Sequence, residues 1–172
     1  MAFAIERCHK LKLSELEQLC EATEDAIRDG IGFNWASPPN RDVLEKYWNG
    51  VIIIPERELF IARLDGAIAG AIQLINPSKR HETTAFAANV TEHFVAPWAR
   101  GFGMAKALLN AAESSAMGHG LTQIRLSVRA TQKAAIHLYE TQGYECWGIL
   151  PRAEHVNDQF IAAHYFVKEL TA

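Results

Sequence analysis

The sequence predicts an α/β fold with a mixed, mostly antiparallel central sheet flanked by helices. Three observations lead there. Asp65-Gly66 stands between two strand-like runs, Glu58 to Leu64 and Ala67 to Ile75, and this dipeptide is the strongest short-range hairpin signal in the chain. Past Pro97 the apolar spacing lengthens from two residues to three and four, the change from strand to helix. The later helical stretches alternate with strand-like ones, which requires crossover connections over the face of a sheet.

In chain order, Phe3 to Cys8 alternates apolar and polar residues as a short strand. Leu13 to Arg28 reads as a helix with Ser14 as N-cap, Glu17 three residues on as in a capping box, and Gly30 as its stop. Its apolar positions Leu16, Leu19, Cys20, Ala22 and Ile27 are mostly helically spaced. Ile31 to Pro39 is a loop, because Pro38-Pro39 forbids helix and Gly32 breaks a strand. A second helix runs from Arg41 to Asn49 behind an Asn40 cap. Val51 to Ile54 is a strand-sized apolar run that ends at Pro55. After the hairpin comes a strand from Ala85 to Val95. Ala105, Leu108, Leu109, Ala112 and Ala116 then mark a helix that Gly118 to Gly120 stops. Ile124 to Val128 alternates as a strand, and Ala135, Leu138 and Tyr139 share one face of a last helix ended by Gly143. Tyr144 to Leu150 and Gln159 to Glu169 close the chain as strands around a loop holding Pro151, Asn157 and Asp158. The order is β-α-α-β-β-β-α-β-α-β-β, in a single domain over residues 1–172.

That length suits one compact domain. The 49% apolar and 22% charged content is that of a soluble globular protein. No apolar run approaches the roughly 20 residues that span a bilayer. The N-terminus Met1 to Glu6 lacks the basic start and long apolar stretch of a secretory signal. A cytoplasmic protein with no membrane partner is expected. The formal net charge of −3 argues against nonspecific nucleic-acid binding. Cys8, Cys20 and Cys146 form no CxxC pair and sit among apolar neighbours, so they are expected as buried free thiols. The histidines show no metal-ligand spacing, and no metal is expected.

The most informative junction is the strand ending at Val95, then Ala96-Pro97-Trp98-Ala99, then Arg100-Gly101-Phe102-Gly103-Met104-Ala105-Lys106. A helix begins inside this segment, so its first N–H groups lack intrahelical partners and carry partial positive charge. Gly101 and Gly103 remove side chains there, and Ala105 is nearly as small. Arg100 adds a permanent cation and Lys106 a second. Such a helix start suits the pyrophosphate of a nucleotide-like cofactor. A dinucleotide fold would instead want a third glycine near Lys106 and an acidic residue closing the next strand. That strand ends Val128-Arg129-Ala130, and the loop follows a hairpin-rich first half, so a dinucleotide site is disfavoured.

The order of elements, the run Val95-x-Pro97-x-x-Arg100-Gly101-x-Gly103-x-Ala105 and the run Leu138-Tyr139-x-x-x-Gly143-Tyr144 together resemble the GNAT N-acetyltransferase superfamily. The C-terminal region, Gly148 to Pro151 through Tyr165 to Leu170, is loosely similar to small bacterial members that acetylate amino acids or antibiotic-like amines. The resemblance implies acetyl-CoA as cosubstrate, lying where the strand before the loop splays from its neighbour. It implies backbone pairing of Phe94 and Val95 with the pantetheine arm, and a Val95 N–H that polarises the thioester carbonyl. Backbone N–H groups from Gly101 through Phe102, Gly103 and Met104 to Ala105 take the pyrophosphate. Gln132 stands where the family usually has asparagine, one methylene longer. Tyr139 is implied as the general acid that protonates the departing sulfur. Proteins of this kind are frequently homodimers, often through their closing strands.

A base must take the proton of an ammonium before attack. Glu92 and His93 are both candidates, and adjacent strand positions face opposite sides of a sheet, so only one points readily at the acceptor. Burial tunes a glutamate upward, and a histidine needs little tuning. Phe33, Trp35, Trp48 and Trp147 are pocket candidates, with Glu24, Asp25 or Glu154 to draw an amine; each is equally readable as a core aromatic or a solvated acid. His137 is expected at the surface. The function expected is acetyl transfer to the primary amine of a small molecule by direct attack. Acetylation of a protein or peptide amine, and a noncatalytic acyl-CoA-binding domain, are the alternatives.

Overall fold

Apolar-rich runs between Arg57 and Val95 build three consecutive strands of the sheet, and Gly70 lets the second and third of them close on each other. The computed structural model describes residues 2–31 and 33–171; Met1, Ala172 and Gly32, which belongs to the loop read from Ile31 to Pro39, lie outside them. The strands are β1 (Phe3–Cys8), β2 (Arg57–Leu64), β3 (Ala67–Ile75), β4 (Ala87–Val95), β5 (Gln123–Arg129), β6 (Glu145–Val156) and β7 (Gln159–Glu169). The helices are α1 (Leu13–Arg28), α2 (Arg41–Ile53), α3 (Met104–Gly118) and α4 (Lys133–Thr141), with short 3₁₀ turns at Glu82–Thr84 and Pro97–Ala99. Their order is the one read from periodicity. The strands form one sheet in the order β1-β2-β3-β4-β5-β7-β6. All neighbours pair antiparallel except β4 with β5.

Both sheet faces are covered. One carries Ile72, Leu74 and Val90 against Leu108, Leu109 and Ala112 of α3 and Tyr139 of α4. The other carries Ile61, Ala71 and Phe94 against Leu19 and Cys20 of α1 and Leu44, Trp48 and Val51 of α2. Strands β2 and β3 are therefore buried on both sides, which is why Leu59 to Ala62 and Ile68 to Leu74 are nearly continuous apolar runs. Among the described residues, buried polar side chains are paired, Asn76 Oδ1 excepted: Trp48 Nε1 donates to Thr23 Oγ1 at 3.1 Å, and Glu113 accepts from Tyr144 Oη at 2.9 Å and from Lys168 Nζ at 3.0 Å.

Four local expectations are corrected. Helix α1 is capped at Lys12, whose N–H donates to Glu15 at 2.9 Å, rather than at Ser14 with Glu17. Helix α2 continues past Asn49 to Ile53, because Leu44, Trp48 and Val51 lie on one buried helical stripe and nothing before Pro55 breaks it. Strand β6 runs through Pro151 to Val156, and the connection shrinks to Asn157-Asp158, both at positive φ. Pro151 is tolerated because β6 is the outermost strand, where a missing N–H leaves no ladder bond unmade. That edge also leaves Cys146 exposed, and Cys8 is half-buried, so only Cys20 is the buried thiol expected.

The β3–β4 contact is unusually close. A Cβ on Gly70 would stand 2.4 Å from the Phe94 carbonyl oxygen and 3.1 Å from Val95 Cα. Gly70→Ala is expected to destabilise the protein by about 1–3 kcal/mol through this overpacking. A denaturant melt measures it; an unchanged midpoint would mean that the two backbones separate freely.

Candidate active site

Strand β4 begins in register with β5 and then leaves it. Only Ala87 to Asn89 pair with Gln123 to Arg125. Beyond them, the register against β3 shifts between Ala71 and Gln73, so Glu92 and His93 oppose one residue of β3, and Glu92 has φ of 50°. This bulge bends β4, while β5 stays paired with β7 to its end. The divergence opens a cleft of about 590 Å³ lined by Val90 to Val95 on one side and Leu126 to Arg129 on the other. Ala96 N–H donates to Ala69 O at 2.7 Å. Alternation along an antiparallel ladder therefore turns the Val95 N–H away from β3, toward the gap. The same alternation turns the Phe94 backbone to Ala71, and its ring lies in the core, 5.2 Å from that of Phe33. Of the two residues expected to pair with the cofactor arm, only Val95 presents its N–H to the cleft.

At one end of the cleft is the glycine segment. Gly101 and Gly103 both have φ of +87°, a backbone that other residues rarely adopt, and a Cβ on either would meet nothing within 4 Å. The space above them is open. Gly103 occupies the N-cap position of α3 without a side-chain cap, and no acidic residue stands in the first turn. The N–H groups of Met104, Ala105 and Lys106 are thus a cradle for anionic oxygens. Arg100, Ala105 and the exposed Lys106 line this end; the Met104 side chain is buried in the core, and the Phe102 ring is partly exposed outside the lining. Arg100 is already tied: its Nη1 donates to Asp29 Oδ2 at 2.6 Å and its Nε to Val95 O at 3.3 Å. Gln132 lines the cleft with its amide donating to Gly30 O at 2.8 Å.

Midway, Glu92 and His93 take opposite faces, and the bulge decides which face each one takes. His93 points to the α3–α4 face, where Nδ1 lies 2.9 Å from Tyr139 Oη and Nε2 lies 2.8 Å from Ala105 O. Tyr139 is 4% exposed, its ring packed on Tyr144 and Phe166. Burial pushes its phenol well above the usual range, so it holds its proton until a strong acceptor arrives. Glu92 points to the α1–α2 face and accepts from Gln73 Nε2. Burial pushes its carboxyl up to about 7. Gln73 is fully buried; its Oε1 takes Arg57 Nη1 at 2.7 Å, and its amide nitrogen also donates to Tyr47 Oη at 2.9 Å. Arg57 therefore fixes which end of the amide faces Glu92.

The Acetyltransferase (GNAT) family profile matches residues 14–144, which include β4, the glycine segment, β5 and Tyr139. The chain belongs to the GNAT acetyltransferase family. An uncharacterized N-acetyltransferase from the hisH-hisA intergenic region of Azospirillum brasilense is 47% identical over 129 residues, 75% of this chain and 77% of that protein. The fold is shared with a yncA acetyltransferase of Salmonella typhimurium solved with its cofactor acetyl-CoA, at TM-score 0.80 and 12% identity over 100% of this chain and 96% of that one. A phosphinothricin acetyltransferase of Sinorhizobium meliloti, solved in complex with the same cofactor, superimposes at TM-score 0.81 with 17% identity over 99% of this chain and 89% of that one.

The far end of the cleft in this acetyltransferase was not legible as a unit. Arg129, with its side chain 5% exposed, holds Glu154 through two hydrogen bonds of 2.9 and 3.1 Å. It also donates to Gly30 O at 3.2 Å and Phe33 O at 3.1 Å. One guanidinium thus staples the loop after α1 to β6 across the cleft. Phe33 and Trp48 belong to the core rather than to the cleft wall; Trp35 stacks on Phe33, and Trp147 is exposed beside Tyr165. Glu24 and Asp25 pair with Arg41 and Arg28, away from the cleft, and His137 is exposed on α4. Among the described residues no helix is long and apolar enough to cross a membrane. One residue not singled out from the sequence carried a signal: Gln73 is the lone polar residue in the run Ile68 to Ile75. Arg129 stood out in the sequence only as the non-acidic end of its strand, and its structural task is the staple.

Proposed function

We propose that this acetyltransferase moves the acetyl group of acetyl-CoA onto the primary amine of a small molecule by direct attack. The observation that carries the reading is the single continuous cleft. It starts at the open glycine cradle, passes between Tyr139 and Glu92, and ends against the Arg129–Glu154 staple. Gly101 and Gly103 leave room for pyrophosphate oxygens against the start of α3, which favours a nucleotide-bearing acyl donor. Glu92 takes a proton from the substrate ammonium, and the freed amine attacks the thioester carbon. The Val95 N–H stabilises the oxygen as it gains charge. The carbon–sulfur bond then breaks, and Tyr139 gives its proton to the sulfur. The amide nitrogen sheds its second proton to solvent, the phenolate regains one from solvent, and Glu92 releases the proton it took.

Two features favour direct attack on a small acceptor. No cysteine lines the cleft, and Ser127, which does, makes no hydrogen bond to a base among the described residues. The staple crosses the end of the cleft that a peptide groove would need open. Thiol release from acetyl-CoA, assayed over a panel of small primary amines and of peptides with free N-termini, tests this. Turnover is expected with small amines, with the acetylated amine and no acetyl-enzyme seen by mass spectrometry. Turnover with peptides alone overturns the acceptor class. Cofactor binding with no turnover on any amine overturns catalysis itself.

A further inference from the structure

The reaction just described leaves His93 without a task, although it touches both the general acid and the phosphate-loop helix. Its two hydrogen bonds define its state. A backbone carbonyl can only accept, so the 2.8 Å contact to Ala105 O places the ring hydrogen on Nε2. Nδ1 is then a bare acceptor, and the 2.9 Å contact to Tyr139 is the phenol donating to it. Burial holds the imidazole far below its usual range, at about 4, so it is neutral at physiological pH.

We propose that His93 is a positioning residue, which aims the Tyr139 hydroxyl and ties that aim to the first turn of α3. The inference rests on the reading of Tyr139 as general acid. Packing on Tyr144 and Phe166 fixes the Tyr139 ring but leaves its hydroxyl free to turn about the C–O bond. The imidazole supplies the acceptor that sets the hydroxyl's direction. Through Ala105 it also connects to the cradle, since Ala105 lies two residues past Gly103. The bulge at Glu92 makes this possible. Uninterrupted alternation from Val90 would place residues 92 and 94 on the α3–α4 face, whereas the extra residue puts His93 there. When the carbon–sulfur bond breaks, the charged sulfur out-competes a neutral imidazole for the phenol hydrogen. The O–H bond breaks and an S–H bond forms, while His93 keeps its Nε2 proton throughout. Its role ends at orientation.

The two contacts can be removed separately. Asparagine reaches about as far as Nδ1 and can accept from the phenol, whereas glutamine reaches toward Ala105 O and leaves the phenol unheld. His93→Leu removes both and is expected to lower kcat about tenfold, the scale of a misaligned catalytic group. His93→Asn is expected to recover most of that loss, and His93→Gln is not. In a Tyr139→Phe background His93→Leu should change kcat less than about twofold, because a residue acting through Tyr139 has nothing left to aim. If Leu fails to fold, the Asn and Gln variants carry the same comparison. Nitrogen NMR of the imidazole, without acetyl-CoA, gives a readout independent of turnover. It should show the Nε2–H tautomer unchanged between about pH 5.5 and 8, with Tyr139→Phe shifting Nδ1 far more than Nε2. An equal loss from His93→Leu in both backgrounds, an Nδ1–H tautomer, or titration in that range overturns the proposal. Should Tyr139→Phe alone leave kcat unchanged, the acid reading falls and this proposal with it.

Discussion

Replacing Tyr139 with phenylalanine is expected to lower kcat by about 100-fold while leaving acetyl-CoA affinity within about twofold, the pattern of a group used only in the transition state. The phenol is deeply buried, 4% exposed, and its hydroxyl makes its observed hydrogen bond to His93 rather than to the chain elements around it. Phenylalanine fills the same space against Tyr144 and Phe166, so folding should be preserved. Because burial holds the phenol above its usual range, wild-type activity should show no falling limb from this group up to about pH 9. Stopped-flow or steady-state kinetics on a slow and a fast acceptor check it. An unchanged kcat would remove Tyr139 from the chemistry.

The second large effect is expected from Glu92→Gln. With its carboxyl raised to about 7 by burial, Glu92 is neutral below that pH and a base above it. Wild-type kcat/KM should climb about tenfold per pH unit below 7 and level off above it; the glutamine variant should lose about 100-fold at pH 8 and lose the limb. Stability moves the other way. A carboxyl whose folded value is raised favours folding in its protonated form, so its ionisation opposes folding progressively as pH rises from the unfolded value, near 4.3, to about 7. Glu92→Gln should therefore melt higher than wild type at pH 8 and close to it at pH 4. A variant that is inactive and also less stable at pH 8 would point to misfolding rather than to a missing base. The positive φ at Glu92, in a non-glycine residue, is the backbone strain often found where a side chain is held for chemistry.

Much of the fold was written in local patterns. Asp65-Gly66 takes the paired positive φ values, 48° and 89°, that its hairpin turn needs, and the spacing of Leu108, Leu109 and Ala112 is the buried stripe of α3. Errors fell where tertiary position overrides composition. Val51 to Ile53 look like a strand alone but are the last turn of a helix already anchored by Leu44 and Trp48. Pro151 reads as a loop residue until β6 proves to be an edge. The site was legible in its parts. The glycine segment announces an open helix start, but nothing in it reveals that Arg100 turns to Asp29. Period-two alternation correctly separates Glu92 from His93, yet a single-residue bulge decides which face each takes, and bulges have no reliable sequence signature. The Arg129 staple joins residues 99 and 25 positions apart in the chain, beyond any local pattern.

The most direct measurement is a calorimetric titration of the protein with acetyl-CoA, repeated on Gly103→Val. Binding at one site per chain in the micromolar range is predicted for the wild type. The variant should bind at least about tenfold more weakly, because valine both resists a φ of +87° and fills the open cradle over α3. Undetectable binding to the wild-type protein at about 1 mM acetyl-CoA, or equal affinity in the two proteins, would contradict a cofactor held at the glycine segment.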